Sequence, residues 1–204
     1  MNADILYKII FFWVIFFITP GPVWVSVMEA TRKLSVAEIG RFFFKVFFPS
    51  SLLIQFNQAI ICVFFVGFVV TIFSKIDFVF YLLGGLYIAY LAYKTVRSKQ
   101  SNVLFELGFL NLVMVMLLSP KIWLLFPSGA VIANQFSHSD ITNALVFAGT
   151  MIVVQSVMFF VYAMIGKVGT TLLKDNFSYL ASALLVLFAL FLFNEAFHIA
   201  IENS

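Results

Sequence analysis

The chain alternates between long runs of apolar residues and short polar stretches, a pattern that is typical of membrane helices. About 20 apolar residues cross a bilayer as a helix. Because backbone polar groups must be satisfied inside lipid, we predict helices and not strands. We expect about six transmembrane helices, in these segments: Ile5–Met28, Phe42–Phe73, Phe78–Tyr93, Leu107–Ala133, Ile141–Ile165 and Phe177–Ile199.

The polar connections between these segments are short. We expect turns at Lys75–Asp77, Ser137–Asp140 and Gly169–Asn176. None of the connections is long enough to divide the chain into domains. The sequence therefore predicts an all-α, polytopic helical membrane protein in which residues 1–204 form a single transmembrane domain, with halves of about 1–100 and 101–204.

The composition agrees with this architecture and excludes several classes of protein. Of the 204 residues, 63% are hydrophobic and 10% are charged, whereas soluble domains carry about 25% charged residues. The net charge of +3 is too small and too scattered for nucleic-acid binding. The one cysteine, Cys62, excludes a disulfide within the chain and argues against a cysteine metal cluster. We expect no metal and no cofactor.

The distribution of lysine and arginine predicts the orientation. Loops rich in these residues stay on the cytoplasmic side. We therefore expect a multi-pass protein of the cytoplasmic (inner) membrane with both termini outside, and Lys8 in an uncleaved first segment and not a signal peptide. Nine of the basic residues fall in the first, third and fifth connections, against Lys8 and Lys75 on the other side: Arg32, Lys33, Arg41, Lys45, Lys94, Arg97, Lys99, Lys167 and Lys174.

Two of the six segments contain proline breaks with a shared pattern. The first reads Thr19-Pro20-Gly21-Pro22 and the fourth reads Ser119-Pro120-Lys121, and each has a Trp shortly afterwards. Proline removes a backbone donor and clashes with the carbonyl one turn earlier, so we expect both helices to be broken. These are the first segments of two three-helix halves. An odd number of helices per half gives opposite orientations, which predicts a 3+3 inverted repeat.

Such breaks free N–H and C=O groups at membrane depth, where they are tolerated only inside protein or beside a water-filled cavity. In transporters, paired broken helices mark the substrate site. Free N–H groups hold a carboxylate and free carbonyls hold an ammonium, so a zwitterionic amino acid suits both. The alternative is that the breaks are structural kinks.

The residues at these breaks resemble the LysE/RhtB superfamily of small amino-acid exporters. Thr19–Pro22 is similar to the signature in that family's first helix, and Ser119-Pro120-Lys121 is similar to its Asn-Pro-Lys break. Leu82–Tyr93 and Gly149–Tyr162 look like its third and fifth helices. The resemblance implies a bundle of about six helices that exports amino acids or related small solutes, driven by the proton gradient.

The chain departs from that family's pattern at several polar positions. Ser119 replaces the asparagine, and Asn111 lies further upstream than its counterpart would. Gln155 stands where many relatives carry an aspartate, so a group that would titrate is absent. The second segment contains Lys45 and Pro49, and a polar set follows them: Gln55, Asn57 and Gln58.

These observations define a candidate substrate site. Lys121 is placed to bind a substrate carboxylate, with a snorkelling lysine as the alternative. Gln55 and Gln155 either line a path or bond between helices. Asn111 is expected to satisfy a carbonyl freed by a break, and Glu29 is interpreted as a loop charge. The full set is Thr19, Pro20, Gly21, Pro22, Ser119, Pro120, Lys121, Gln155, Asn111 and Gln55.

The function predicted from the sequence is a secondary transporter that exports amino acids or related small solutes by alternating access. We find no catalytic triad, metal motif or phosphate loop, so an enzyme is not expected. One alternative is a non-transporting membrane scaffold with the same fold. Another is an exporter of a different small solute or a cation. The expected partners are a small-molecule substrate and the lipid bilayer, with no nucleic acid. The oligomeric state, a homo-oligomer included, stays open.

Overall fold

The computed structural model describes residues 3–100, 107–173 and 176–202 of the chain. Within these ranges all regular secondary structure is helical, which confirms the all-α prediction for the described residues. We number the helices in chain order as α1 Ala3–Ile18, α2 Pro22–Thr31, α3 Val36–Phe64, α4 Val66–Gln100, α5 Phe109–Leu117, α6 Pro120–Ala133, α7 Asp140–Leu173 and α8 Asn176–Glu202.

Four stretches of helix are long and apolar enough to cross a membrane: α3, the Lys75–Arg97 part of α4, α7 and α8. The pairs α1/α2 and α5/α6 are each bent and each long enough for one further crossing. The described residues therefore provide four to six helices of membrane length, which brackets the expected number.

Helix α3 begins and ends earlier than its apolar run suggested. The expected segment was Phe42–Phe73, but the helix begins at Val36 because Ser35 and Glu38 form a capping box. The Ser35 hydroxyl accepts from the Glu38 N–H at 3.3 Å, and the Glu38 carboxylate accepts from the Ser35 N–H at 2.8 Å. The helix ends before Phe65, whose backbone leaves the helical region at φ −130° and ψ 39°.

The turn that we expected at Lys75–Asp77 is wrong. Helix α4 runs without interruption from Val66 to Gln100 and contains the expected third segment. No proline or glycine lies between Gly67 and Gly84, and the Lys75 side chain is exposed, so nothing there interrupts a helix. The chain breaks at Phe65 instead.

The other two expected turns lie close to their predicted positions. The turn at Ser137–Asp140 is confirmed, because α6 ends at Ala133 and α7 begins at Asp140. Helix α7 continues past Gly169 to Leu173, and α8 begins at Asn176. The expected loop residue Lys174 and the side chain of Lys99 lie outside the described residues.

Pro49 explains the irregular course of α3. Two π-helical turns, Phe43–Phe47 and Leu52–Phe56, flank the short α-helical stretch that contains Pro49. The proline ring crowds the carbonyl four residues earlier and supplies no N–H, and a wider turn relieves that conflict. The helix therefore remains continuous through Pro49 but changes the faces that it presents to its neighbours.

The two helices of the first break, α1 and α2, pack against helices of the second half of the chain. Helix α1 packs against α6 and α7, where the Trp13 indole donates to the Phe147 carbonyl at 3.0 Å. Helix α2 lies between α7 and α8, and α4 packs along α8. Gly166 lets α7 approach α2 closely, since a Cβ there would lie 2.5 Å from the Met28 carbonyl oxygen.

Candidate functional site at the helix breaks

The two breaks have closely similar geometry. The bend from α1 to α2 is 64° and the bend from α5 to α6 is 62°. Each second helix begins with a proline, Pro22 or Pro120, after an extended residue, Gly21 or Ser119. Proline suits the first turn because its fixed φ is helical and its missing N–H would have no partner there. Both helices are thus broken where the sequence predicts.

Both breaks line one cavity of about 610 Å³. Thr19–Pro22 forms one part of its wall and Ser119–Lys121 forms another. These are seven of the ten residues in the predicted substrate site, so the fold brings them together from segments about 100 positions apart. The remaining wall is mainly apolar and includes side chains of α6 and α8: Leu124, Leu125, Leu184, Leu187, Phe188 and Phe191.

A second, much smaller cavity of about 20 Å³ lies against the same breaks. Gly21, Pro22, Ser119 and Lys121 line both cavities, so these residues form the wall between them. The smaller space has room for about one water molecule. Gln55 lines it from α3, which places this predicted residue at the edge of the site.

Lys121 joins the two breaks directly. Its ammonium donates to the Phe16 carbonyl at 2.6 Å and to the Thr19 carbonyl at 2.9 Å. The Tyr162 hydroxyl of α7 lies 3.2 Å from the Phe17 carbonyl and 2.9 Å from the Ile18 carbonyl. Four successive carbonyls at the end of α1 therefore face donors from the other half of the chain, and the Lys121 side chain does not extend away from the bundle.

The charge of Lys121 has no acidic partner in the described part of the chain. The ammonium lies 4.4 Å from the centre of the Phe16 ring, a cation–π contact. The ion pair found elsewhere joins Glu29 and Arg32, not Lys121. Two of the three ammonium N–H groups are engaged, which leaves one donor and one positive charge beside the cavities.

Further donors come from the starts of α2 and α6. No side chain caps either helix start. Helix N-termini carry partial positive charge and unpaired N–H groups, and both starts line the cavities. Ser119 is 7% exposed, and its hydroxyl makes no hydrogen bond with the residues that the structure describes. The site therefore offers donors in excess of acceptors.

The tryptophans that follow the breaks help to hold the freed carbonyls. The Trp123 indole donates to the Leu117 carbonyl at the end of α5 at 2.9 Å. Trp24 stacks on Tyr162, with ring centres 4.8 Å apart and planes at 12°.

Tyr162 was missed as a site residue because a lone tyrosine in an apolar run has no spacing signal that sets it apart.

Gln155 and Gln55 meet between α7 and α3. The Gln155 amide donates to the Gln55 side-chain oxygen, and the Ser51 hydroxyl lies 2.6 Å from the Gln155 side-chain oxygen. All three side chains are at least 98% buried. Both side chains therefore bond between helices, and Gln55 also lines the smaller cavity. Gln155 lines neither cavity at the breaks, and Ser51 was not predicted.

Asn111 lies outside the site. It belongs to α5, and the Tyr87 hydroxyl of α4 donates to its backbone carbonyl at 3.0 Å and lies 3.4 Å from its side-chain oxygen. We expected its side chain to satisfy a carbonyl freed by a break, and that expectation is wrong. The Leu117 carbonyl at the end of α5 is instead held by Trp123.

Glu29 is not a loop charge. It lies within α2 and is 2% exposed. One carboxylate oxygen accepts from the Arg32 guanidinium and from the Ser178 hydroxyl of α8, each at 2.9 Å. The second oxygen has no partner in the described residues. The sequence suggested a loop because Glu29 follows the last apolar residues of its segment and precedes Arg32 and Lys33.

The comparisons with known proteins cover part of the chain. A family described as a domain of unknown function (DUF7649) matches residues 53–132, from the end of α3 to α6. The matched region includes the second break but not the first. No curated protein and no solved structure is significantly similar to the chain. The case for a function therefore depends on the geometry of the breaks.

Proposed function

We propose that the protein is a secondary transporter that exports amino acids or related small solutes across the cytoplasmic membrane. The observation that carries this proposal is the shared cavity at two broken helices, with Lys121 and the starts of α2 and α6 on its wall. Interrupted helices in corresponding positions of two halves are the arrangement in which transporters hold their substrates. The resemblance of Thr19–Pro22 and Ser119–Lys121 to the LysE/RhtB superfamily supports the same activity.

The proposal includes six membrane crossings. The bent pairs α1/α2 and α5/α6 each cross once, together with α3, α4, α7 and α8. Many large apolar side chains on the outside of these helices are exposed, among them Leu172, Leu110 and Phe197, as expected of surfaces that face lipid. The bias in lysine and arginine places both termini outside.

The proposal also includes an inverted repeat that relates α1–α4 to α5–α8. The helix contacts support it, because they recur in matched pairs. Helix α1 packs on α7 as α5 packs on α3, and α2 packs on α8 as α6 packs on α4. Such a repeat provides alternating access when one half rocks against the other around a fixed site.

In this mechanism the two halves of the chain move relative to each other at the contacts that join them. Lys121 and Tyr162 tie the end of α1 to α6 and α7. Gln55 and Gln155 tie α3 to α7. A bound solute would accept hydrogen bonds from the remaining donors on Lys121 and Ser119, which line the cavity beside these contacts.

Transport by the purified protein in proteoliposomes tests this function. A broad panel of labelled amino acids and related solutes is applied with and without an imposed pH gradient. We expect gradient-dependent movement of at least one solute above protein-free liposomes. The absence of movement for the whole panel, with protein shown to be folded in the liposomes, would contradict a transporter.

The alternative class, a membrane scaffold, is favoured by one observation. Gln155, which bonds to Gln55 and Ser51, stands where many members of the LysE/RhtB superfamily that the chain resembles carry an aspartate, so a group that would titrate is absent there. A stable stoichiometric partner in a pull-down, together with unchanged solute levels in a deletion strain, would support the scaffold.

Export of a cation is disfavoured because the Lys121 charge lies on the cavity wall.

A further inference from the structure

The acceptors at the first break are already used within the protein. The carbonyls of Phe16 and Thr19 accept from Lys121, and those of Phe17 and Ile18 face the Tyr162 hydroxyl. A solute ammonium at this break would have to displace a lysine or a tyrosine. The sequence suggested that free carbonyls and free N–H groups at the breaks serve a zwitterion together, but these four carbonyls already face donors within the protein.

Some donors at the breaks, in contrast, have no partner among the residues that the structure describes. The Ser119 side chain is buried, with 7% exposure, and lines both cavities. Its hydroxyl makes no hydrogen bond with the described residues. Lys121 keeps one N–H and an uncompensated charge. The uncapped starts of α2 and α6 add partial positive charge. Burying a positive charge without a counter-ion is costly, so an anionic group of the solute would stabilise this end.

Among the described residues that line the rest of the cavity there is no carboxylate for a second charged group, and Tyr81 is the one polar side chain. Beyond the breaks its wall is formed chiefly by leucine and phenylalanine side chains of α6 and α8, such as Leu124, Leu184 and Phe188. The volume of about 610 Å³ holds a branched or aromatic hydrocarbon group of a few carbon atoms. An ammonium placed a few ångströms from Lys121 would be repelled and would find no carboxylate among the described residues that line the cavity.

We infer that the solute is an apolar carboxylate whose amino group, where it has one, is not recognised. This inference rests on the proposed transport function and narrows its substrate class. The carboxylate lies against Lys121, Ser119 and the two helix starts, and the apolar body lies in the larger cavity. A lipid acyl chain is the other occupant that an apolar wall admits, but it would leave the donors at the breaks without an anion.

Matched compounds that differ only in the charged group test the inference. We would compare 4-methylpentanoate with leucine, 3-phenylpropanoate with phenylalanine, and 3-methylbutylamine as the amine alone. Undissociated short acids cross bilayers unaided, so binding is measured and not flux, by tryptophan fluorescence of the full chain in lipid nanodiscs. Trp24 and Trp123 lie beside the breaks and would report occupancy.

We expect each acid to bind at least as tightly as its amino acid, and the amine not to bind. Ser119→Ala is expected to weaken binding of the acids about tenfold, since it removes a hydrogen bond to a charged group. The hydroxyl makes no bond within the described chain, so this variant should fold normally. Ser156→Ala, which removes a hydroxyl bonded to the Ile152 carbonyl away from the cavities, serves as the matched control.

Several outcomes would overturn the inference without touching the proposed function. Tighter binding of leucine or phenylalanine than of the acids, or binding of the amine, would show that the amino group is recognised. A tightly held lipid that the acids do not displace would assign the cavity to an acyl chain. In each of these cases the proposed transport function would be retained if the proteoliposomes move a solute. If no solute in the panel is moved, the transport function itself is refuted.

Discussion

The Lys121 ammonium donates a hydrogen bond to the Phe16 carbonyl across 2.6 Å and so joins the start of α6 to the end of α1. A side chain from one half of the chain thereby completes the broken helix of the other. The same contact places a positive charge between two helix starts. Lys121 thus has a structural role as well as the proposed role in binding.

The first prediction concerns this contact. Lys121→Met removes two hydrogen bonds and leaves the Phe16 and Thr19 carbonyls without donors. We expect it to lower the free energy of unfolding by about 2–4 kcal/mol, because both carbonyls lose charge-assisted partners. Denaturant unfolding in mixed micelles measures the change. Lys8→Met is the control, since Lys8 is exposed on α1. If Lys121→Met and Lys8→Met changed the free energy of unfolding equally, the hydrogen bonds of Lys121 would not stabilise the fold.

The second prediction concerns the crossing of α7 and α2. Gly166→Ala would place a Cβ 2.5 Å from the Met28 carbonyl oxygen and 3.0 Å from its Cα, so the helices must separate. We expect a loss of about 1–3 kcal/mol, the usual cost of overpacking. Gly149→Ala in the same helix has nothing within 4 Å and should be neutral or stabilising. A stable Gly166→Ala protein would show that the crossing is looser than described.

The third prediction concerns the amide pair between α3 and α7. Gln155→Leu leaves the buried Gln55 side-chain oxygen without its amide donor and with only the Ser51 hydroxyl, at 3.4 Å, and Gln55→Leu leaves the Gln155 amide without its acceptor. We expect each single change to cost about 1–3 kcal/mol, and the double change to cost less than the sum, because it leaves fewer unpaired groups. A double-mutant cycle on thermal unfolding gives the coupling energy. Strict additivity would mean that the amides do not interact.

The fourth prediction concerns the buried pair at the end of α2. Glu29→Leu would leave the Arg32 guanidinium buried without its carboxylate, at an expected cost of about 3–5 kcal/mol. Adding Arg32→Leu should recover much of that loss, because no isolated charge then remains. Melting temperatures of the three proteins in one detergent measure both effects. A double variant less stable than Glu29→Leu alone would contradict this account.

The sequence predicted the helical class and the two breaks because both depend on local features. Long apolar runs select helices in lipid, and Pro-Gly-Pro and Ser-Pro interrupt them whatever the tertiary context. Helix ends were predicted less well where the local signal was not hydrophobic. The capping box at Ser35 and Glu38 extended α3, and the charges of Lys75 and Asp77 were mistaken for a turn.

The partners of the site residues were not predictable, because they depend on how helices distant in sequence pack. Nothing near Lys121 in the chain indicates that it bonds to Phe16, 105 positions away. Tyr162 reaches Ile18 from α7 in the same way. The Glu29 pairing with Ser178 also joins separate helices. Composition and spacing identify polar residues in apolar segments, but packing decides which of them meet.

The account's central claim is that the two helix breaks form a solute site, and labelling at Gly21 tests it most directly. Gly21→Cys is introduced into a Cys62→Ala background, since a Cβ at Gly21 meets nothing within 4 Å. Gly108→Cys, also in open space but away from both cavities, is the control. The measured quantity is the rate of reaction with a small, membrane-impermeant thiol reagent.

The account predicts that the thiol at position 21 reacts from water and that saturating solute slows this reaction several-fold, while the thiol at position 108 reacts equally with and without solute. A thiol at position 21 that never reacts, or that reacts at the same rate in saturating solute, would contradict a solute site at the breaks.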